Sequence, residues 1–157
     1  MKDMIISTPV KVAAYDELDE RRRRLVDLAR EATHRSYAPY SHFSVGAAIA
    51  LDNGEIVTGA NQENAAYPSG TCAERSACYY AHAQYPEAHL EAIAIAARGT
   101  DGLEVADPCA PCGACRQAIL EYEKLAGHDV EVILTGRDKI YILPSVRSTL
   151  PLAFSEF

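Results

Sequence analysis

Three cysteines and one glutamate have the types and spacing to do chemistry together: Cys72, Glu74, Cys112 and Cys115. They fall in two short stretches, Cys72-Ala73-Glu74-Arg75 and Pro111-Cys112-Gly113-Ala114-Cys115-Arg116. Three protein ligands with a fourth position open is the arrangement of a catalytic zinc, whereas a structural zinc is usually closed by four. A carboxylate beside a water activated by such a metal can take its proton and pass it on. Glu74 lies two residues from the first thiol and fits that task. Cys109 makes a second C-x-x-C with Cys112, so a four-cysteine structural site is the rival reading. It precedes Pro111, however, and falls outside the turn that carries Cys112 and Cys115. Cys78, mid-helix among alanines, reads as a core residue.

Two helices must bring these pieces together. Ser69-Gly70-Thr71 reads as a turn with a good N-cap, and Cys72 to Tyr85 as the helix that follows. Pro111 is a favoured first helical residue, and Gly113 to Tyr122 continues as a second helix. Cys112 and Cys115, three apart, share one face of its first turn. Two helix N-termini then point their positive dipole ends at one ion, which favours thiolate over thiol. Zinc with three thiolates carries a formal charge of minus one, which blunts its acidity. Arg75 and Arg116 follow the ligands directly, placed either to hydrogen-bond the sulfurs or to make surface salt bridges.

The other elements frame this pair. Met1 to Tyr15 reads as an edge strand or an extended arm. Leu18 to His34 is a helix with the stripe Leu25, Leu28, Ala29 and Ala32, and its run Arg21 to Arg24 is either a solvated face or a phosphate-binding patch. Phe43 to Leu51 and Glu55 to Asn61 are strands joined by the hairpin turn Asp52-Asn53-Gly54. Asn61-Gln62-Glu63-Asn64 ends the second strand as a polar cluster, suited to sugar hydroxyls or simply a turn. His89 to Arg98 is an almost wholly apolar strand, as expected of one buried on both faces. Val130 to Thr135 and Lys139 to Leu143 are two more strands, and Ser145 to Leu150 a short helix. The order β-β-α-β-α-β-β after a leading helix implies an α/β fold, a mixed five-stranded sheet layered between helices. Leu152, Phe154 and Phe157 end the chain with apolar groups that must dock somewhere, on their own domain or on a neighbour.

Composition narrows the function. A chain of 157 residues implies one domain, 1–157. Its formal net charge of −7 argues against a polynucleotide or an anionic membrane as main partner. No apolar run approaches spanning length and no signal-peptide core opens the chain, so a soluble cytoplasmic protein is expected. Five cysteines, three with ligand spacing, do not suggest a disulfide framework.

At the level of whole motifs the chain resembles the cytidine deaminase family, of the small homotetrameric type, from about Tyr15 to Phe154. The resemblance rests on Tyr37-Ala38-Pro39-Tyr40-Ser41-His42-Phe43-Ser44-Val45-Gly46-Ala47-Ala48, on Asn61-Gln62-Glu63-Asn64-Ala65-Ala66-Tyr67-Pro68, and on the two cysteine stretches extended by Gln117. The ending Leu150-Pro151-Leu152-Ala153-Phe154 also fits. The order of first ligand, Glu and Pro-Cys-x-x-Cys is also that of zinc nucleobase deaminases, in which the Glu is not a ligand. The resemblance implies a three-layer α/β/α sandwich with one zinc per subunit on Cys72, Cys112 and Cys115. Glu74 would move protons between the attacking water, ring N3 and the leaving ammonia. Asn61 and Glu63 would bind ribose hydroxyls, Phe43 would stack on the pyrimidine, and the backbone around Ala73 would hydrogen-bond the base. Tyr67 and Phe154 would help build a neighbouring subunit's pocket in a homotetramer. The implied reaction is hydrolytic deamination of cytidine and 2′-deoxycytidine to uridine and 2′-deoxyuridine, in pyrimidine salvage. A deaminase of another aminopyrimidine nucleoside, or a non-catalytic zinc or thiol module, is the alternative. Met1 to Val12 and Cys109 depart from the family pattern without touching the ligand set.

Overall fold

The computed structural model describes residues 1–155, so Phe157 lies outside the described residues. The elements in chain order are β1 (Lys11–Ala13), α1 (Glu20–Ala32), β2 (Ser44–Leu51), β3 (Ile56–Ala60), α2 (Ala73–Gln84), β4 (Leu90–Arg98), α3 (Gly113–Ala126), β5 (Glu131–Thr135) and β6 (Ile140–Leu143). The strands form one sheet in the order β1-β6-β5-β4-β2-β3. Only β4 and β5 run parallel, as the crossover through α3 requires; the other pairs are antiparallel.

The sheet has six strands where five were expected. The sixth is the short β1, whose Lys11, Val12 and Ala13 pair with Ile142, Tyr141 and Ile140 of β6. The first segment is thus an edge strand preceded by an arm, and Thr8 of that arm donates to the Ser148 carbonyl (2.8 Å).

Helix α1 covers one face and α2 with α3 the other, which makes three layers. The period-2 alternation of the strands sorts side chains by size. Ala48 and Ala50 of β2 and Ala92, Ala94 and Ala96 of β4 face α1 and meet Leu25, Val26 and Ala29. Ile49, Leu51, Ile93, Ile95, Val132 and Leu134 face α2 and α3, against Ala77, Cys78, Ala81, Cys115, Ile119 and Leu120. The thicker half of the core therefore lies beneath the helices that carry the cysteines. Cys78 belongs to it and is fully buried.

Gly59 of β3 sets how close α2 can come. A Cβ there would lie 2.6 Å from the Ala77 nitrogen and 2.7 Å from the Ala73 carbonyl oxygen. Any side chain at Gly59 would push away the first turns of α2, and Cys72 and Glu74 with them. Glu123 does the comparable work for α3. Its buried carboxylate accepts from the main-chain N–H of Val130 (3.0 Å), Val146 (2.6 Å) and Arg147 (3.0 Å). The basic run on α1 is partly spent on acids of the sheet: Arg22 makes a bidentate pair with Glu131 (3.0 and 2.7 Å) and Arg21 pairs with Glu91.

The apolar ending docks by its backbone. Gln117 Nε2 of α3 donates to the Phe154 carbonyl (2.8 Å) and Lys124 Nζ to that of Ser155 (2.6 Å). Ala153 packs on the core, while the Phe154 side chain is 69 % exposed and Leu152 81 %. Among the described residues no helix is long and apolar enough to cross a membrane.

Candidate active site

Cys72 and Cys112 are the N-cap residues of α2 and α3, with extended backbones (ψ 157° and 165°) and no side-chain cap bond. The expected start of each helix therefore shifts. Thr71 is not the cap of α2, and Pro111 precedes the cap of α3 instead of opening its first turn. Helix α3 also runs on to Ala126, where Gly127 (φ +69°) closes it in the left-handed conformation. Cys115, buried, lies in its first turn. The two helix starts bring the sulfurs of Cys72, Cys112 and Cys115 within 4.8 Å of one another, with Cys72 Sγ and Cys112 Sγ at 4.0 Å. Thiolates bound at about 2.3 Å to one tetrahedral zinc lie about 3.8 Å apart, so the cluster is nearly preformed for that ion. Among the described residues it is the one such grouping of three candidate ligands. Cys109 stays out of it. Its thiol lies 4.0 Å from the Ala110 carbonyl, and burial pushes its pKa up to about 11.

Cys72 and Cys115 divide their charge unequally. A hydrogen bond from Cys115 pulls Cys72 down to about 5, helped by Arg75 Nη2 at 3.7 Å, and the same pairing pushes Cys115 up. Cys72 in turn holds Arg75 firmly protonated. Arg116 behaves differently from Arg75. Its Nε donates to the Pro111 carbonyl (2.8 Å) and its Nη1 to that of Thr149 (3.0 Å). Among the described residues it makes neither a sulfur contact nor a surface salt bridge, and instead ties the Pro111 turn to the C-terminal segment. Glu74 follows Cys72 by two residues on α2 and is only 4 % exposed. Burial raises its pKa, which suits a carboxyl that must hold a proton as well as give one up.

A cavity of about 480 Å³ opens beside this cluster. Thr71, Cys72 and Arg75 line it together with Asn61, Gln62, Glu63 and Asn64, and Tyr40, Ser41 and Tyr67 complete the lining. Tyr40 and Tyr67 meet edge to face, with ring centroids 6.0 Å apart, and Tyr67 is 76 % exposed. The structure thus gathers Asn61, Glu63, Tyr67, Cys72 and Arg75 around one space. Ala73 and Glu74 continue buried from its Cys72 end. Phe43 is half-buried where the chain enters β2, its carbonyl bonded by Asn61 Nδ2 (2.9 Å). Phe154 is not among the lining residues.

Main-chain bonds join the segments that line the cavity. Gln62 and Thr71 exchange two N–H to carbonyl bonds, both 2.9 Å, and Gly70 passes so close that a Cβ would lie 3.1 Å from the Gln62 oxygen. On the other side, Tyr37 donates to the Asn61 carbonyl (3.0 Å) and Glu63 to that of Tyr37 (2.8 Å). Tyr40 and Ser41 were not singled out from the sequence, yet their N–H groups hold Glu63 Oε2 (2.8 and 3.3 Å). The Ser41 hydroxyl, then the Tyr40 N–H, keep this carboxylate below its usual range. The turn that aims them contains His42 at φ +54°. The Ser-Tyr-Ala-Pro-Tyr-Ser run signals a turn, but nothing local in it says that a carboxylate far along the chain is its target.

The comparisons with known proteins agree with this site. The family model for the cytidine and deoxycytidylate deaminase zinc-binding region matches residues 19–126. A cytidine deaminase of Halalkalibacterium halodurans is 39 % identical over 137 residues, covering 85 % of this chain and 94 % of its own. One of Sporosarcina psychrophila is 37 % identical over 133 residues, covering 85 % and 90 %. The crystal structure of cytidine deaminase from Burkholderia pseudomallei superposes with a TM-score of 0.71 at 36 % identity, covering 87 % of this chain and all of that one. With the zinc-ligand cluster, the carboxyl beside it and the sheet order all in place, the chain belongs to the zinc-dependent cytidine and deoxycytidylate deaminase family.

Proposed function

We propose that this protein, as a single deaminase domain, hydrolyses cytidine and 2′-deoxycytidine to uridine and 2′-deoxyuridine with release of ammonia, in cytoplasmic pyrimidine salvage. The observation that carries the reading is the single cavity running from the Asn61–Glu63 pair to Cys72. Zinc held by Cys72, Cys112 and Cys115 supplies the Lewis acidity that makes water a nucleophile near neutral pH. Glu74 takes the proton of the attacking water, delivers it to ring N3 and later serves the departing amine. Arg75 offsets part of the thiolate charge. Phe43 stacks on the pyrimidine, and the Ala73 backbone hydrogen-bonds the base. Asn61 and Glu63 bind the sugar hydroxyls. The decisive experiment is ultraviolet-monitored turnover of cytidine, deoxycytidine, cytosine and CMP, alongside zinc stoichiometry. Both nucleosides should turn over at about one zinc per subunit. Absence of turnover in zinc-loaded protein would refute the reading.

The same assay tests the sugar contacts. A site built to hydrogen-bond hydroxyls leaves its own groups unpaired when they are missing, so free cytosine should lose at least about 10³-fold in kcat/KM. CMP should also be poor, because its phosphate brings more negative charge to the end of the cavity where Glu63 is held ionised. Comparable efficiency on cytosine and cytidine would remove Asn61 and Glu63 from sugar recognition.

The active form proposed is a homotetramer of closed symmetry, tested through its shared sites. The exposed Tyr67 and Phe154 rings, on a domain whose tail backbone is already docked, support a role across subunits. Mixing Glu74→Gln with Phe154→Ala subunits under exchange should raise activity above the average of the two parents. Mixed sites would then pair an intact Glu74 with a neighbour's intact Phe154. No rise despite proven exchange between two impaired parents would mean that Phe154 serves its own subunit, and a monomer by light scattering would refute the assembly.

A further inference from the structure

The protein itself uses almost the whole side-chain amide of Asn61. Oδ1 accepts from the Val45 N–H (2.8 Å) and from the Ser36 hydroxyl (2.6 Å), and Nδ2 donates to the Phe43 carbonyl (2.9 Å). Val45 and Phe43 decide which way the amide faces, since a flip would set donor against donor and acceptor against acceptor. The Ser36 hydroxyl can donate or accept, and opposite this oxygen it must donate. Both lone pairs of Oδ1 are then taken, and one of the two N–H groups remains. Asn61 therefore offers a ligand one donor and no acceptor. Glu63 offers the complement, an acceptor only, with Oε2 already holding the Tyr40 and Ser41 N–H groups.

We propose that Ser36 is a positioning residue for substrate recognition. By taking the second lone pair of Asn61 Oδ1 it makes Asn61 a pure donor in the orientation that Val45 and Phe43 already fix. The Asn61–Glu63 pair then reads a hydroxyl that accepts from one residue and donates to the other. The inference rests on the sugar assignment proposed above. Ser36 is half-buried and does not line the cavity, so its influence passes through Asn61.

The test compares Ser36→Ala, Ser36→Thr, Asn61→Ala and the double variant Ser36→Ala/Asn61→Ala by cytidine kinetics and thermal midpoint, and measures inhibition by free cytosine. Losing one neutral hydrogen bond should raise the cytidine KM of Ser36→Ala about three- to tenfold, with kcat within about twofold. Ser36→Thr, which keeps the hydroxyl, should recover most of the loss. In the Asn61→Ala background the Ser36→Ala change should add nothing to KM. The inhibition constant of cytosine, which has no sugar, should not move in Ser36→Ala; this arm holds even where Asn61→Ala fails to fold. Equal weakening of cytosine and cytidine, full additivity in the double variant, or an unchanged cytidine KM in Ser36→Ala would each overturn the inference. An Asn61→Ala variant that folds and keeps its cytidine KM would instead defeat the sugar assignment itself.

Discussion

Replacing Cys72, Cys112 or Cys115 by alanine is expected to yield nearly zinc-free, inactive protein, while Cys109→Ser and Cys78→Ala keep both metal and turnover. The three ligand sulfurs already lie within 4.8 Å of one another, and each closes one corner of the site. Removing one leaves two thiolates, which lowers affinity for an ion that needs its ligands deprotonated and gathered. Cys112 is the most informative of the three, because it is exposed and its replacement opens no core cavity. Cys109 is the proper control. It is the neighbouring thiol in sequence, but burial holds it protonated at neutral pH. Cys78 packs in the core, where alanine removes only a sulfur. Metal content by plasma emission, read beside cytidine turnover, decides the matter. Full zinc occupancy in Cys112→Ala, or zinc loss in Cys109→Ser, would overturn the ligand assignment.

Glu74→Gln should lose at least about 10⁴-fold in kcat, because general acid–base groups typically contribute 10²–10⁴-fold and this one serves several transfers. Glutamine keeps the size and polarity of the side chain in a site that is nearly closed to solvent, so the loss would report proton transfer and not packing. Zinc content should be unchanged, since Glu74 is not one of the clustered ligands. Cytidine binding, followed by equilibrium dialysis, should persist. A variant retaining about half the turnover would take Glu74 out of the mechanism.

The chemistry was readable in the sequence because it is encoded locally. Cys72 with Glu74, and Cys112 with Cys115, each lie within three residues of one helix start, so the start of one helix places each pair. The helix starts were placed too early, by one residue at α2 and by two at α3, for a related reason. Propensity favours Thr71 as a cap and Pro111 inside the helix, yet both cap positions are held by cysteines that cap nothing. There the demands of the site override the preferences of the backbone. What the sequence hid depends on contacts between distant segments. The first segment reads as an edge strand or an arm, and only the pairing of Lys11–Ala13 with β6 says which part is which. Glu123 looks like a surface residue of α3 until Val130, Val146 and Arg147 turn their N–H groups toward it. Ser36 and Asn61 are 25 residues apart and are brought together by the β2–β3 hairpin that lies between them.

The paired bonds between Gln62 and Thr71 separate two properties that would otherwise vary together. They pinch the segment 63–70 into a closed loop whose base is part of the site and whose tip carries Tyr67. The span from Asn61 to Cys72 is measured across the base and not along the loop. Insertions and deletions between Asn64 and Ser69 therefore change how far Tyr67 reaches without altering the gauge between Asn61 and Cys72. Such a loop is an exchangeable part: its tip can change in length and shape while the paired base that joins Gln62 to Thr71 is kept.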